Sequence, residues 1–251
     1  MFTAVLAGCA APAPPPDPEP RPPLSLECTK TQDEVETVTE NGASQPICVR
    51  GAWVFIAPAL ENPQRMRRSE IFLRNGSEPV TGREGSVIVH DVELSVRLGE
   101  SGASDDAWHV LWQLHGPTDG QWRPPPVALH VRNGRLGLSG GAGHPNHSWK
   151  QANHEWSKPL IPISDGETHR VRIVVVLSSD PRKGSVSASV DGRSVLEQWR
   201  PRSPDGYTPG TLYPGQHQVS SRIGLYRGSQ SETPPEYEQI VVQRVLEATG
   251  H

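Results

Sequence analysis

The sequence predicts an all-β protein, a two-sheet antiparallel β-jelly roll. Three observations carry the prediction. Gly (24) and Pro (26) make up about a fifth of the 251 residues, and the longest stretch free of both, Leu24–Asn41, runs only 18 residues. That excludes long helices and coiled coils. Short segments of period-two hydrophobicity recur along the chain. Two of them end in the hairpin dipeptides Asn133-Gly134 and Asp191-Gly192, which suit tight turns between antiparallel strands. An apolar fraction of 34% with seven Trp indicates a folded body.

The elements follow in order. Val87–Leu98 alternates, with a slip of register expected near His90–Asp91. Trp108–His115 is expected to put Trp108, Val110, Trp112 and Leu114 on one face and His109, Leu111, Gln113 and His115 on the other. Val127–Arg132 turns at Asn133-Gly134 into Arg135–Leu138. Thr168–Leu177 ends in the continuous apolar run Ile173–Leu177, the mark of a central strand. Ser185–Val190, Arg222–Tyr226 and Glu238–Leu246 complete the set, the last as strand because of Ile240, Val241 and Val242.

The N-terminus reads differently. Met1–Leu6 is a short apolar segment followed by Leu6-Ala7-Gly8-Cys9. Small residues before a Cys resemble a bacterial lipoprotein cleavage site, so residues 1–9 are expected to be a truncated export signal and Cys9 the lipidated residue. Residues 10–23 hold eight prolines in 14 positions and are expected to form an extended tether. Residues 24–251 form the folded domain. Lipid on Cys9 leaves Cys28 and Cys48 to pair in an oxidising compartment, across 19 intervening residues. The expected location is extracytoplasmic, and the expected contact with a membrane is the lipid alone. Apolar runs fall well short of the ~18–20 residues of a membrane helix.

Net charge is −4 and the pI about 6.2, which gives no support to nucleic-acid binding. The cations are 20 Arg against 4 Lys, a bias that codon usage or recognition of carboxylates and sulfates can produce.

Three strands carry candidate chemistry. Gln113 and His115 share a strand face, as do Arg222, Gly224 and Tyr226, and as do Arg68 and Glu70 if Arg68-Ser69-Glu70 is a strand. In this order the three segments resemble the motifs of β-jelly-roll polysaccharide lyases of the alginate, glucuronan and heparin-lyase-I type: Arg-(Ser/Thr)-Glu, Gln-(Ile/Val)-His and Lys-x-Gly-x-Tyr. Pro124–Gly134 and Thr168–Gly192 are similar to the surroundings of those motifs in the glucuronan and heparin-lyase-I relatives, and the resemblance spans Gly51–Leu246. It implies a lectin-like sandwich with a ligand groove on one sheet. Two positions depart: Arg222 replaces the Lys, and Phe72 stands where alginate-type members have a second Arg.

The resemblance implies β-elimination at a uronic acid. Arg68 and Gln113 would neutralise the substrate carboxylate and hold the developing enolate. His115 would be the base and Tyr226 the acid on the leaving O4, or Tyr226 would make both proton transfers with help from His115. Arg222 would depress the Tyr226 pKa or bind a neighbouring carboxylate, and Glu70 would contact substrate. The segment His144–Trp156 adds Trp149, Lys150 and His154 as expected sugar contacts, with a surface loop or a three-histidine metal site as rival readings. No metal or cofactor is required. The partner is an acidic polysaccharide and the protein is expected to act as a monomer. Two other functions remain open: a non-catalytic carbohydrate-binding lipoprotein on the same fold, and a retaining glycoside hydrolase, for which Asp91-Val92-Glu93 is the nearest acidic pair.

Overall fold

The computed structural model describes residues 24–25, 28, 36–40, 42–58, 66–75, 78–79, 81–99, 108–116, 124–141, 155–204, 206–213, 216, 218–228 and 237–250. Cys9, Trp149, Lys150 and His154 lie outside these residues, as does the Pro-rich stretch 10–23.

Every regular element among them is a β-strand. In chain order these are β1 (Leu24–Ser25), β2 (Thr37–Glu40), β3 (Ile47–Val49), β4 (Ala52–Pro58), β5 (Arg67–Phe72), β6 (Arg74–Asn75), β7 (Glu78–Pro79), β8 (Thr81–Gly82) and β9 (Val87–Arg97), then β10 (His109–His115), β11 (Val127–Arg132), β12 (Arg135–Gly141), β13 (Glu155–Pro162), β14 (Thr168–Val176), β15 (Ser185–Val190), β16 (Arg193–Trp199), β17 (Val219–Arg227) and β18 (Tyr237–Gly250). Sixteen of them form two eight-stranded antiparallel sheets, the jelly roll expected, and β6 and β7 pair separately. The back sheet runs β16-β15-β14-β9-β18-β4-β3, with β1 on β18. The front sheet runs β13-β12-β11-β10-β17-β5-β2, with β8 on β17. Neighbours distant in sequence, such as β10 and β17, are therefore brought together only by the fold.

Each turn dipeptide works as its residue types require. Asn133 and Gly134 have φ of 54° and 63°, and Asp191 and Gly192 have 51° and 77°. Two successive positive φ values make the type I′ hairpin, whose twist matches the flanking strands.

The core lies between the sheets. Trp53, Phe55, Ile88 and Leu94 from the back sheet meet Ile71, Leu111, Trp112, Leu114, Leu129, Trp156 and Ile223 from the front, all essentially inaccessible. Full burial of each large apolar side chain contributes roughly 1.5–3 kcal/mol.

Strand β9 corrects an expectation. It has no slip at His90–Asp91. Ile88, His90, Val92, Leu94 and Val96 all face the core in unbroken alternation, while Val87 and Val89 face outward. His90 takes an apolar position because its Nδ1 lies 2.7 Å from Glu247 Oε2 on β18, which gives the buried ring a hydrogen-bonding partner. Ser221 Oγ donates to the same oxygen at 2.9 Å and Trp112 Nε1 donates to Ser221 Oγ at 2.7 Å. The His90 and Trp112 rings stack at 4.6 Å. The two sheets are thus joined by a polar chain directly behind β10 and β17.

Strand β10 corrects another. Its register against both β11 and β17 shifts between Val110 and Trp112. This bulge at Leu111 breaks strict alternation. Val110 joins Ala128 and Tyr226 on the outer face, with Trp108 packed against them, while Leu111, Trp112 and Leu114 fill the core. His109 faces inward, 3.0 Å from Glu238, which also pairs with Arg227 at 3.2 Å.

Cys28 and Cys48 form a disulfide, with Cα atoms 5.6 Å apart. It ties the N-terminal segment to β3, an edge strand of the back sheet.

Candidate active site

The outer face of the front sheet carries the site. Strand alternation on β5 sends Arg67, Ser69 and Ile71 inward and Arg68, Glu70 and Phe72 outward. On β17 it sends Ser221, Ile223 and Leu225 inward and Arg222, Gly224 and Tyr226 outward. The ladder aligns Tyr226 with Arg68, Gly224 with Glu70 and Arg222 with Phe72. On the other side of β17, Arg222 is level with Gln113 and Ser220 with His115. Three segments separated in sequence therefore occupy three adjacent strands. Glu70, Gln113 and Tyr226 face away from the core yet are 0%, 1% and 5% exposed. This patch is shielded from solvent although it lies outside the core, and it forms the floor of the candidate site.

Gly224 lets β17 and β5 lie close together beneath the floor. Its φ is +151°, and a Cβ here would meet the Ser69 carbonyl oxygen, Glu70 Cα at 2.6 Å and Phe55 Cδ1 at 3.0 Å. Glu70 reaches across β17 from β5, and Gln113 Nε2 donates to Glu70 Oε1 at 2.5 Å. Arg68 Nε lies 3.4 Å from the other carboxylate oxygen and Arg68 Nη1 lies 3.9 Å from Glu40. The Arg68 guanidinium covers the Tyr226 ring at 4.1 Å, and Trp108 meets that ring edge-on at 5.1 Å. The Tyr226 hydroxyl donates to Met66 Sδ at 3.0 Å.

The bulge also sets spacing. From His115 to the row of Tyr226 the chain spans six residues on β17 (Ser220 to Tyr226) but five on β10 (His115 to Val110). The extra residue lies on β17, between Ile223 and Tyr226, where a bulge of this kind bends the strand.

Electrostatics follow from this packing. Burial, then Arg222 and Arg68, push the His115 imidazole down to about 4, so it is neutral near pH 7. Burial raises the Tyr226 phenol above its ordinary 10, with Arg68 opposing. Burial likewise raises the Glu70 carboxyl, against Arg68, Gln113 and Arg222. Two guanidiniums thus flank one buried carboxylate, and the surplus positive charge is what His115 senses.

Two expected roles change. Arg222 does not lie on Tyr226: its guanidinium stacks on Phe72 at 4.4 Å, and the cation against Tyr226 is Arg68. The net shift of the phenol is upward, because burial outweighs that cation. Glu70 lies beneath the surface of the site with its carboxylate engaged by Gln113 and Arg68.

The structure adds residues that the motif search passed over. Met66 and Trp108 flank Tyr226. His130 sits on the same outer face in the row Tyr226–Val110–His130–Gly137. Burial, then Arg132 and His109, push His130 down to about 4. Alternation along Val127–Arg132 already marked His130 as facing away from Val127, Leu129 and Val131.

Asp91 accepts from Arg170 at 3.0 and 2.8 Å on the back sheet, and Glu93 shares that strand. The acidic pair considered for a hydrolase therefore lies on the other sheet.

A family profile for polysaccharide lyase matches residues 25–240. This chain belongs to the polysaccharide lyase family. Among solved structures, this lyase is similar to an endo-β-1,4-glucuronan lyase from the fungus Trichoderma reesei, at TM-score 0.63 and 17% identity over 86% of this chain and 90% of that one. It is also similar to an alginate lyase from Klebsiella pneumoniae, at TM-score 0.53 and 17% identity over 82% and 85%. An endo-1,3-β-glucanase from Streptomyces sioyaensis matches at 0.54 and 13% identity over 96% and 99%, so this fold is shared with hydrolases and the likeness speaks for the fold alone. No curated protein matches the lyase sequence.

Proposed function

We propose that this lyase cleaves a uronic-acid-containing polysaccharide by β-elimination at the Arg68–Gln113–His115–Tyr226 face. The observation that carries the reading is the charge arrangement of the site: two guanidiniums around one buried carboxylate, beside a His held neutral. That balance suits an anionic sugar. A uronate carboxylate near Arg68 and the free N–H of Gln113 would have its charge neutralised, which acidifies the neighbouring C5–H. His115, unprotonated at rest, takes the C5 proton. The bound carboxylate offsets the guanidinium charge that depresses its pKa, so substrate makes His115 a stronger base. The C5 electron pair forms the C4=C5 double bond as the C4–O4 bond breaks, and Tyr226, which holds its proton, gives it to O4. Arg222 on Phe72 is placed to bind a carboxylate of an adjoining sugar.

The likeness to a glucuronan lyase and an alginate lyase supports a polyuronate as substrate. The disulfide Cys28–Cys48 supports an oxidising, extracytoplasmic location. Lipidation at Cys9, sugar contacts from Trp149, Lys150 and His154, and action as a monomer belong to the same reading. The test is ultraviolet absorbance of a 4,5-unsaturated uronate, with the purified protein on a panel of polyuronates and heparin-like chains. Growth on one polymer is expected. In Tyr226→Phe, turnover is expected to vanish while binding of that polymer persists. Binding without turnover by the native protein would establish a carbohydrate-binding module instead.

A further inference from the structure

We infer that Glu70 is a positioning residue that fixes the polarity of Gln113, so that an N–H and not the carbonyl oxygen of its amide is presented to substrate. The inference rests on the lyase reading for its consequence in catalysis, but its geometry is independent of it. A glutamine amide is nearly symmetric in shape and opposite in polarity at its two ends. Left alone it can turn either end toward a carboxylate. An ionised carboxylate accepts only, so the Gln113 amide nitrogen must face Glu70. The observed bond, Gln113 Nε2 to Glu70 Oε1 at 2.5 Å, has this sense. It is fully buried, which makes the alternative orientation, oxygen against oxygen, costly. The second N–H then stays available for a ligand, and Gln113 Oε1 has no partner among the described residues.

The same carboxylate holds Arg68, whose Nε is 3.4 Å from Glu70 Oε2. Glu70 therefore sets both groups that would bind the uronate carboxylate without touching the sugar itself. Gly224 supports this arrangement, because a Cβ there would press on the Ser69 carbonyl and Glu70 Cα and displace the strand that carries Glu70. The Arg-Ser-Glu order of β5 matters for the same reason: it puts Glu70 opposite that glycine and Arg68 opposite Tyr226.

The test is Glu70→Gln, which keeps shape and removes the charge. The Gln113 side-chain amide signals are followed by nitrogen–proton NMR, assigned by their loss in Gln113→Asn. In the native protein one amide proton is expected far downfield, from a charge-assisted bond; in Glu70→Gln the pair is expected to return to ordinary values. With an active polymer, kcat/KM is expected to fall about ten- to a hundred-fold. Both limbs of its pH profile are expected to move toward acid by about one unit. The charged and titratable groups facing the site are Glu36, Glu40, Arg68, His115, Arg222 and Tyr226. Loss of one negative charge among them favours neutral His115 and ionised Tyr226. A residue that merely supports the fold would lower activity without moving the limbs. Unchanged Gln113 signals in Glu70→Gln, or limbs that stay in place, overturn the inference. If that variant does not fold, acid titration of the native protein replaces it: the downfield signal must disappear as Glu70 protonates, and its persistence refutes the role. A native protein inactive on every polymer defeats the lyase reading, while the NMR result still decides Glu70.

Discussion

Replacing Gly224 with alanine removes no chemical group from the site, yet it is the substitution whose cost the structure specifies most directly. The added Cβ would meet the Ser69 carbonyl oxygen, Glu70 Cα at 2.6 Å and Phe55 Cδ1 at 3.0 Å. Two of these atoms are backbone of the paired strand, so no side-chain rotation relieves them. The six register pairs from Arg222–Phe72 to Arg227–Arg67 must open locally or shift. Overpacking of this kind costs about 1–3 kcal/mol. Holding an alanine at a φ of +151° adds about 1–3 kcal/mol of backbone strain. A loss of about 3 kcal/mol lowers the melting temperature of a chain this size by about 6–12 °C. The Gln113–Glu70 bond crosses over the same position, so activity on the responsive polymer is expected to fall even well below the melting point. Thermal unfolding by circular dichroism and the unsaturated-uronate assay measure the two effects. A variant that melts within about 2 °C of the native protein with full kcat would refute the close approach of β17 and β5 and the wiring built on it.

Four further outcomes are expected. Folding stability should fall as pH drops from 6.5 toward 4, because His115 and His130 stay neutral in the fold down to about 4 while the unfolded chain binds those protons near 6.5; urea unfolding at pH 5 and pH 7 checks this, and equal stability at both would refute it. The acid limb of kcat/KM for the free enzyme should lie nearer pH 4 than 6.5 for the same reason, and a limb at 6.5 would show that His115 is not held neutral by its surroundings. Glu247→Ala strips His90 and Ser221 of their shared acceptor inside the core and should cost about 1–3 kcal/mol in chemical denaturation, whereas a change under about 0.5 kcal/mol would place water in that network. Reduction of Cys28–Cys48, closing 19 intervening residues, should remove about 3 kcal/mol; a thiol count unchanged by reductant would show that no bridge was present.

Much of the architecture was legible in sequence order because its signals are local. Alternation marks which way a strand residue points, and Asn133-Gly134 and Asp191-Gly192 mark turns that only residues tolerating positive φ can make. The strand pairs β11–β12 and β15–β16, joined by these turns, follow at once. Where alternation misled, the cause was an interaction with a distant partner. His90 reads as polar and outward until Glu247 is placed beside it, 157 residues away. Trp108–His115 reads as one regular strand until pairing with β11 and β17 creates the bulge at Leu111. Strands β4 and β13 were not among the segments that alternation picked out, and pairing with their neighbours defines them.

The site divides the same way. Residue types and their two-apart spacing on each strand selected Arg68, Glu70, Gln113, His115, Arg222 and Tyr226, because side chains two apart on a strand share a face whatever the fold. That the three strands are adjacent, in the order β5, β17, β10, is a property of the sheet. So are the contacts that assign roles. Arg68 lies on Tyr226, Arg222 on Phe72, and Glu70 passes over Gly224 to Gln113, since each depends on which residue stands opposite across a ladder. Burial, which no single-residue property reports, then lowers the His115 pKa and raises those of Tyr226 and Glu70. The sequence by itself determined the chemistry available on each strand; the tertiary structure decided which groups meet and in what charge state, because both depend on distance and on exclusion of water.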